Sequence, residues 1–294
     1  MEKNKEILRK EGLGVCAISY DSQEILKAFA ERRQISIPLL SDPDSKIIRA
    51  FGILNSTIPP DQMAFGIPYP GSYLVDEKGK VRAKYFEEDF RDRYSTGTIL
   101  VHELGSALNT KQTTLEQEHL SIKYFASTEV CSPGSRISLL VEIQLKDKVH
   151  LYAPGAQGYV PLELTLKPSA AVTLHARSYP PSHSLFLPAI KETVPVYEGI
   201  IRLVQDVTIT ANPPALTNAL NPGGELFIDG NLQYQACDDK MCYLPQSKPI
   251  RWVVKIQELD RERAPEPLRH GSQIRTSFNG EALNSHANKP GPAN

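Results

Sequence analysis

Tyr234-Gln235-Ala236-Cys237-Asp238-Asp239-Lys240-Met241-Cys242-Tyr243-Leu244-Pro245 is the stretch on which the reading of this chain turns. It follows the alternating run Glu225 to Tyr234 and precedes a second one, Ile250 to Ile256, so the cysteines stand between two strand patterns. Two of the four cysteines are five positions apart here. A bond between them would close a ring of about six residues, and so small a ring stabilises a fold less than a long loop does. If the pair bonds, reversible redox chemistry explains it better than stability. An inert staple, two reduced thiols and half of a metal site stay open as alternatives. A zinc site wants four ligands at typical spacings, and no second Cys or His pair lies close by, so no metal is expected.

Outward from this stretch the sequence stays β-like. Ile137 to Ile143, Leu162 to Leu166 and Ile200 to Ile209 are further short alternating runs. Pro154-Gly155, Pro180-Pro181 and Pro222-Gly223-Gly224 punctuate them, and most of the 23 prolines follow residue 130. Ser121 to Leu259 shows no convincing amphipathic helix, and evenly spaced strands with such turns predict a β-sandwich of roughly 130 residues. The tail, 260–294, is polar and without periodicity, and is expected to be disordered.

The first half reads differently. Gly14 to Tyr20 predicts a short buried strand. Asp21 or Ser22 caps a helix that carries Ile25, Leu26, Phe29 and Ala30 on one face. Ile37 to Leu40 is a second strand, and Asp44 opens a helix with Ile47, Ile48 and Phe51. A Pro- and Gly-rich loop leads to a hairpin, Ser72 to Val75 and Lys80 to Phe86, turning at Asp76-Glu77-Lys78-Gly79. Thr96 to Leu108 predicts a closing helix. The order is β-α-β-α-β-β-α, an α/β pattern over residues 1–108. A polar stretch, 109–120, reads as a linker to the sandwich at 121–259.

Composition bounds the rest. A chain of 294 residues with 40% apolar and 23% charged residues is an ordinary two-domain candidate. A net charge of -1 gives no electrostatic footprint for nucleic acid. No apolar run reaches the ~18 residues of a membrane span. Met1 to Glu6 is charged, with no apolar stretch and cleavage site after it, so no signal peptide is read there. Cys16 reads as a small buried hydrophobe in a strand, and Cys131, at a strand start before Ser132-Pro133-Gly134, as an unpaired loop or edge thiol. His150 and His175 fall on strand patterns and read as structural too.

Three stretches resemble the AhpC/TSA family of redoxins, which has a thioredoxin-like fold. They are Val15 to Ser22, Pro38 to Ser45, and Gly66-Ile67-Pro68-Tyr69-Pro70-Gly71-Ser72-Tyr73-Leu74-Val75-Asp76. The resemblance covers residues 1–108 and implies that Pro70 follows a cis peptide bond. Redoxins open with a strand and a helix that starts at a reactive cysteine, whose thiol the helix N-terminus acidifies. The chain starts inside what would be that helix, at Glu2 to Lys10, without the strand or the cysteine. A fragment of a longer protein is the favoured expectation, a non-catalytic remnant the alternative. A peroxiredoxin-type antioxidant protein, inactive here for lack of its peroxidatic cysteine, is one rival function.

A second resemblance begins near Ser135. Leu145 to Tyr152, Val196 to Gly199, Tyr234 to Cys237 and Cys242 to Pro245 are similar to the N-terminal domain of the thiol:disulfide interchange protein DsbD, an immunoglobulin-like sandwich with one redox pair. That pair maps onto Cys237 and Cys242. The resemblance implies a thiol–disulfide oxidoreductase or electron relay that needs no cofactor. Cys242 attacks and Cys237 resolves. Thioredoxin-like or membrane-embedded exchange proteins are the implied partners, and the compartment is periplasmic or otherwise extracytoplasmic. Without an export signal in the chain, a cytoplasmic location stays open. Tyr152, Tyr234 and Tyr243 are candidate aromatic neighbours of the pair, and Tyr179 to Pro195 the expected cap. The other rival is a non-catalytic binding module with a structural disulfide.

Overall fold

The computed structural model describes residues 1–258 except 63, 88, 90, 109, 178 and 188–190. The expected disordered tail lies outside the described residues. The chain forms two compact units, one of residues 1–70 and one of residues 71–258.

In the first unit a 3-10 turn, Glu2–Asn4, leads into α1 (Lys5–Lys10). Then come β1 (Ala17–Ser19), α2 (Gln23–Arg33), β2 (Leu39–Ser41) and α3 (Lys46–Ala50). β1 and β2 pair in parallel with α2 as the crossover, Ile18 opposite Leu40, the α/β unit that parallel pairing requires. Ser22 caps α2 by accepting the Ile25 N–H at 3.4 Å, and Gln34 ends it in the left-handed region at φ 52°. α3 is capped otherwise than expected. Asp42, not Asp44, accepts the N–H groups of Lys46 and Ile48, each at 2.9 Å. Its carboxylate, just upstream of the kink at Ser45, reaches both orphan donors of the first turn.

Two expectations here are corrected. The strand of residues 14–20 is not buried: Cys16, Ala17 and Ile18 are exposed, because β1 has a hydrogen-bonded strand on one side only, β2. No cis peptide bond occurs among the described residues, so Tyr69–Pro70 is trans. X-Pro bonds favour trans by about 0.5–1 kcal/mol. The trans segment is held to its neighbour as it stands: Tyr69 donates to the Ile53 carbonyl at 2.7 Å, and Pro68 bridges Leu54.

The second unit opens with the hairpin β3 (Gly71–Val75) and β4 (Val81–Phe86), then β5 (Arg93–Tyr94) and α4 (Thr96–Leu104). Gly79, at φ 77°, takes the left-handed turn position. α4 is shorter than expected, ending where Gly105 adopts φ 63°. β6 (Thr113–Glu116) occupies part of the stretch read as a linker. β7 (Leu120–Ala126), β8 (Val130–Cys131), β9 (Ser135–Leu145), β10 (His150–Tyr152), β11 (Glu163–Leu166) and β12 (Val172–Leu174) follow. The chain continues through β13 (His183–Leu187), β14 (Glu192–Glu198), β15 (Ile200–Ile209), α5 (Pro213–Ala219), β16 (Glu225–Tyr234), β17 (Ala236–Cys237) and β18 (Gln246–Ile256). The alternating runs located β15 and β16 to the residue. α5 was not expected. Its signal is Asn212 before Pro213-Pro214, a proline-started turn rather than a periodic face.

Among the described residues, the strands of this unit form three sheets besides the hairpin. One runs β12-β15-β9-β7-β6, with β5 also pairing β9; a second β11-β16-β18-β8; a third β13-β14-β10-β17. The first two pack into one core. Ile137, Leu139, Val141 and Ile143 of β9 and Leu203 and Val207 of β15 meet Ile228 and Leu232 of β16 and Trp252 and Val254 of β18. Tyr124 stands edge-on to Trp252 at 5.9 Å. This is a β-sandwich, and its third sheet carries the cysteine pair.

Candidate functional site

β10 is the centre of the third sheet. It pairs antiparallel with β14 on one side and β17 on the other, with His150 opposite both Glu198 and Cys237. Beyond Cys237 the chain turns back on itself and returns at Cys242. Tyr243 N–H donates to the Ala236 carbonyl at 2.8 Å, and Asp238 N–H to Met241 at 3.0 Å. These two bonds flank the pair, which makes Cys237 and Cys242 a non-hydrogen-bonded cross-strand pair, the closer of the two antiparallel kinds. Their Cα atoms are 4.0 Å apart, and the two sulfurs are bonded.

Asp238 holds the turn. Its Oδ1 accepts the N–H groups of Lys240 and Met241 at 2.8 and 2.9 Å. Its Oδ2 accepts the Tyr243 hydroxyl at 2.6 Å. The Tyr243 hydroxyl foremost, with the two backbone donors, lowers the Asp238 carboxyl to about 2, so the turn keeps its charge through the physiological range. Tyr243 stacks on His119 at 3.7 Å. The Gln235 amide donates to the Tyr243 carbonyl at 3.1 Å and accepts the Val160 N–H at 3.3 Å. The cysteine turn is therefore fixed on both flanks.

The two sulfurs differ in access. Cys237 is 1% exposed, whereas Cys242 is exposed between the outward-facing Met241 and Leu244. The Tyr152 hydroxyl lies 3.2 Å from the Cys242 sulfur and 3.4 Å from that of Cys237. Disulfide sulfurs carry no proton, so the hydroxyl is the donor. Burial, chiefly, pushes the Tyr152 phenol up to about 12, and it stays a donor at every physiological pH. Its ring stacks on Tyr159 at 4.1 Å. Val194 and Val196 of β14 share its cluster with Cys237, and Leu185 and Leu187 of β13 pack against it. The described part of the expected cap, 179–187 and 191–195, thus supplies apolar contacts around the buried sulfur.

The structure brings together Cys237, Cys242, Tyr152 and Tyr243. Tyr234 lies in the main core with Trp252 instead, and Pro70 falls in the other compact unit. Cys131 is buried and its thiol is pushed up to about 12 by that burial, which makes it inert. Cys16 is a free, exposed thiol. Sequence reasoning passed over Asp238 as a turn organiser and His150 as a neighbour of Cys237. The Asx turn was legible in Asp238-Asp239-Lys240, but the His150 register needs the pairing itself.

Residues 1–84 match the model of the AhpC/TSA family. Residues 117–253 match that of the thiol:disulfide interchange protein DsbD, N-terminal. Peroxiredoxin Bcp of Escherichia coli (strain K12) is 32% identical over 95 residues, 31% of this chain and 56% of that protein. The chain thus spans about half the length of the curated relatives it matches. Among solved structures, the N-terminal periplasmic domain of ScsB from Proteus mirabilis aligns at TM-score 0.35 and 14% identity, over 59% of each chain. The reduced DsbD N-terminal domain of Neisseria meningitidis aligns at TM-score 0.27 and 14% identity, over 39% of this chain and 74% of that one. A thioredoxin-like N-terminal segment is followed by a sandwich of the DsbD N-terminal kind. The two families and the disulfide point to thiol–disulfide oxidoreduction or relay.

Proposed function

We propose that Cys237 and Cys242 form a reversible relay pair that carries two electrons between partner proteins. The observation that carries this reading is the asymmetry of the pair: one sulfur exposed, one buried, both within reach of one phenol. An incoming thiolate reaches the Cys242 sulfur. It forms a mixed disulfide there, and the S–S electron pair leaves on Cys237. The Tyr152 O–H then donates to the new thiolate inside the protein, which offsets part of the cost of burying its charge. In the other direction Cys242 attacks a partner disulfide and Cys237 resolves the mixed disulfide, expelling the partner reduced.

The partners this chemistry fits are proteins with an exposed thiol or disulfide of their own, thioredoxin-like domains or membrane-embedded exchange proteins. The exposed Met241 and Leu244 beside Cys242 give such a partner an apolar foothold. No helix among the described residues is long and apolar enough to cross a membrane, and we place the domain's work in the periplasm, where a partner chain brings the electrons. We further propose that residues 1–70, the part of the redoxin-like segment that forms its own compact unit, act as a module separate from the sandwich.

The test is differential alkylation with mass spectrometry across graded glutathione buffers. Cys237 and Cys242 are expected to switch together, while Cys131 does not change. A relay pair titrates at a potential above about -300 mV, and a pair that stays locked there is a structural staple, which would end the relay reading.

A further inference from the structure

The third sheet sets three chemistry-bearing residues in one rung. Cys237 of β17 faces His150 of β10, and His150 faces Glu198 of β14. Side chains directly opposite across neighbouring strands share a face, with Cβ atoms about 4.5–5.5 Å apart. A disulfide sulfur, an imidazole and a carboxylate therefore stand side by side across three strands. His150 is 3% exposed, and its Nε2 is buried without a hydrogen-bond partner. A buried polar atom left unpaired is costly. The oxidised sulfur opposite it bears no proton to donate. Reduction of the disulfide puts one there.

Resting on the relay reading, we propose that His150 is the proton partner of Cys237, taking the proton when Cys237 must attack and returning it when Cys237 leaves. The other group at the sulfurs, Tyr152, is not a base for that proton, since its oxygen keeps its own proton to high pH. Several groups set the imidazole's charge state. From β14 comes Glu198, and from the cysteine turn Asp238 and Asp239; His183 of β13 lies beyond, its Nε2 3.0 Å from Glu198. Burial, the largest influence, pushes the His150 imidazole down, against Glu198, Asp239 and Asp238. It is neutral at pH 7, ready to accept a proton.

The steps balance. The Cys242 thiolate attacks a partner disulfide R–S–S–R′; a Cys242–R bond forms and R′–S⁻ leaves with the electron pair. His150 takes the proton of the Cys237 thiol. The Cys237 thiolate attacks the Cys242 sulfur, the intramolecular disulfide forms, and R–S⁻ leaves. The cysteine pair is oxidised by two electrons and the partner reduced by two. His150 then gives its proton to the solvent or the departing thiolate.

The experiment uses the full chain as Cys16→Ser, reduced and mixed with 5,5′-dithiobis(2-nitrobenzoate). The first thionitrobenzoate released reports attack by Cys242, and the second, first-order release reports resolution by Cys237. His150→Gln is expected to slow the second release about a hundredfold at pH 7. The first should stay within about twofold, and the gap should close above about pH 9, where the thiol ionises unaided. Glu198→Gln, which keeps the imidazole, should slow it by less than about tenfold. A second phase equal to the parent's, or slowed alike at every pH, overturns the proposal. A parent protein that releases only one equivalent overturns the relay reading itself. Should His150→Gln not fold, the imidazole ¹⁵N resonance of the parent decides. It moves on reduction if Nε2 gains its partner, and a fixed resonance overturns the proposal.

Discussion

Residues 1–70 and residues 71–258 are built on different principles. The first unit buries Leu8, Leu26 and Ile48 but leaves Ile18, Phe29, Leu40, Ile47 and Phe51 each about two-fifths exposed. Its order comes from local hydrogen bonds. Asp42 and Ser22 cap helices. Glu2 accepts the backbone N–H groups of Ser36 and Ile37 at 2.9 and 3.1 Å, and these bonds, the Ser36 one first, lower its carboxyl to about 2. The second unit works the other way. Every inward residue of β9 from Ile137 to Ile143 is fully buried, and register follows from which face is apolar. Caps and turns draw elements, but closing two faces of a sandwich supplies the hydrophobic term that holds them.

The sharpest way to break this contrast is to ask each unit for its thiol. Iodoacetamide should modify Cys16 in the folded protein at the rate of a free cysteine. Cys131, buried in β8 beside β18, should react only through opening of the core, at least about a thousandfold more slowly. Comparable rates would mean that Cys131 is reached without opening of the sandwich core.

Deleting one buried side chain from each unit sharpens the comparison. Trp252→Ala removes a ring that both sheets enclose and should cost about 3–5 kcal/mol. Ile48→Ala removes the most buried side chain of the first unit and should cost about 2 kcal/mol, the foot of the range, because neighbours there are few and can relax. Urea unfolding followed by circular dichroism reads both. Equal costs would show that residues 1–70 have a core of comparable density.

The next effect is smaller and lies where α4 meets the sandwich. A Cβ on Gly97 would overlap the Ser127 carbonyl oxygen, so α4 approaches the backbone just past β7 as closely as it does only through glycine. Gly97→Ala should cost about 1–3 kcal/mol, the usual cost of overpacking. The amides of α4 should lose exchange protection before those of β9 do. Protection lost uniformly would mean that α4 is part of the core and not a layer on it.

What the sequence made legible follows the same division. The alternating runs of β15 and β16 read to the residue from their hydrophobic alternation, although in the structure both faces of β15 are covered from Gln205 on. The cysteines were legible as a close pair between two strands, but the spacing left a redox pair, a staple, two reduced thiols and half a metal site open, and it is the fold that joins the two sulfurs. The rung that joins Cys237, His150 and Glu198 was not legible. It depends on the register of β10 between two strands from distant parts of the chain, and His150 looks like any residue of a short strand. Tyr152, Tyr234 and Tyr243 were indistinguishable as candidates, since only the fold decides which phenol points at the sulfurs. β1 read as buried from its apolar composition, and pairing on one side alone left it exposed.

The smallest expected effect is that of a histidine. Residues 1–70 contain no histidine, whereas α4 presents His102 to Asp206 of β15, Nε2 to Oδ2 at 3.0 Å. The Asp206 hydrogen bond raises the His102 imidazole above its ordinary value against the opposing effect of burial. Burial pushes the Asp206 carboxyl up, but the hydrogen bonds from His102 and Ser138 outweigh it and leave it lowered. A raised imidazole stabilises fully below its unfolded value, about 6.5, and that contribution fades as pH climbs through the higher folded value. A lowered carboxyl contributes above about pH 3.9 and loses this as pH falls. The His102 side chain is 40% exposed, so screening holds its share under about 1 kcal/mol. The urea midpoint should therefore fall slightly more between pH 6 and 8.5 for the parent than for His102→Gln. Burial lowers the Met1 α-amino group, but that group is common to both proteins and cancels. Parallel pH profiles would show that α4 is held by shape alone.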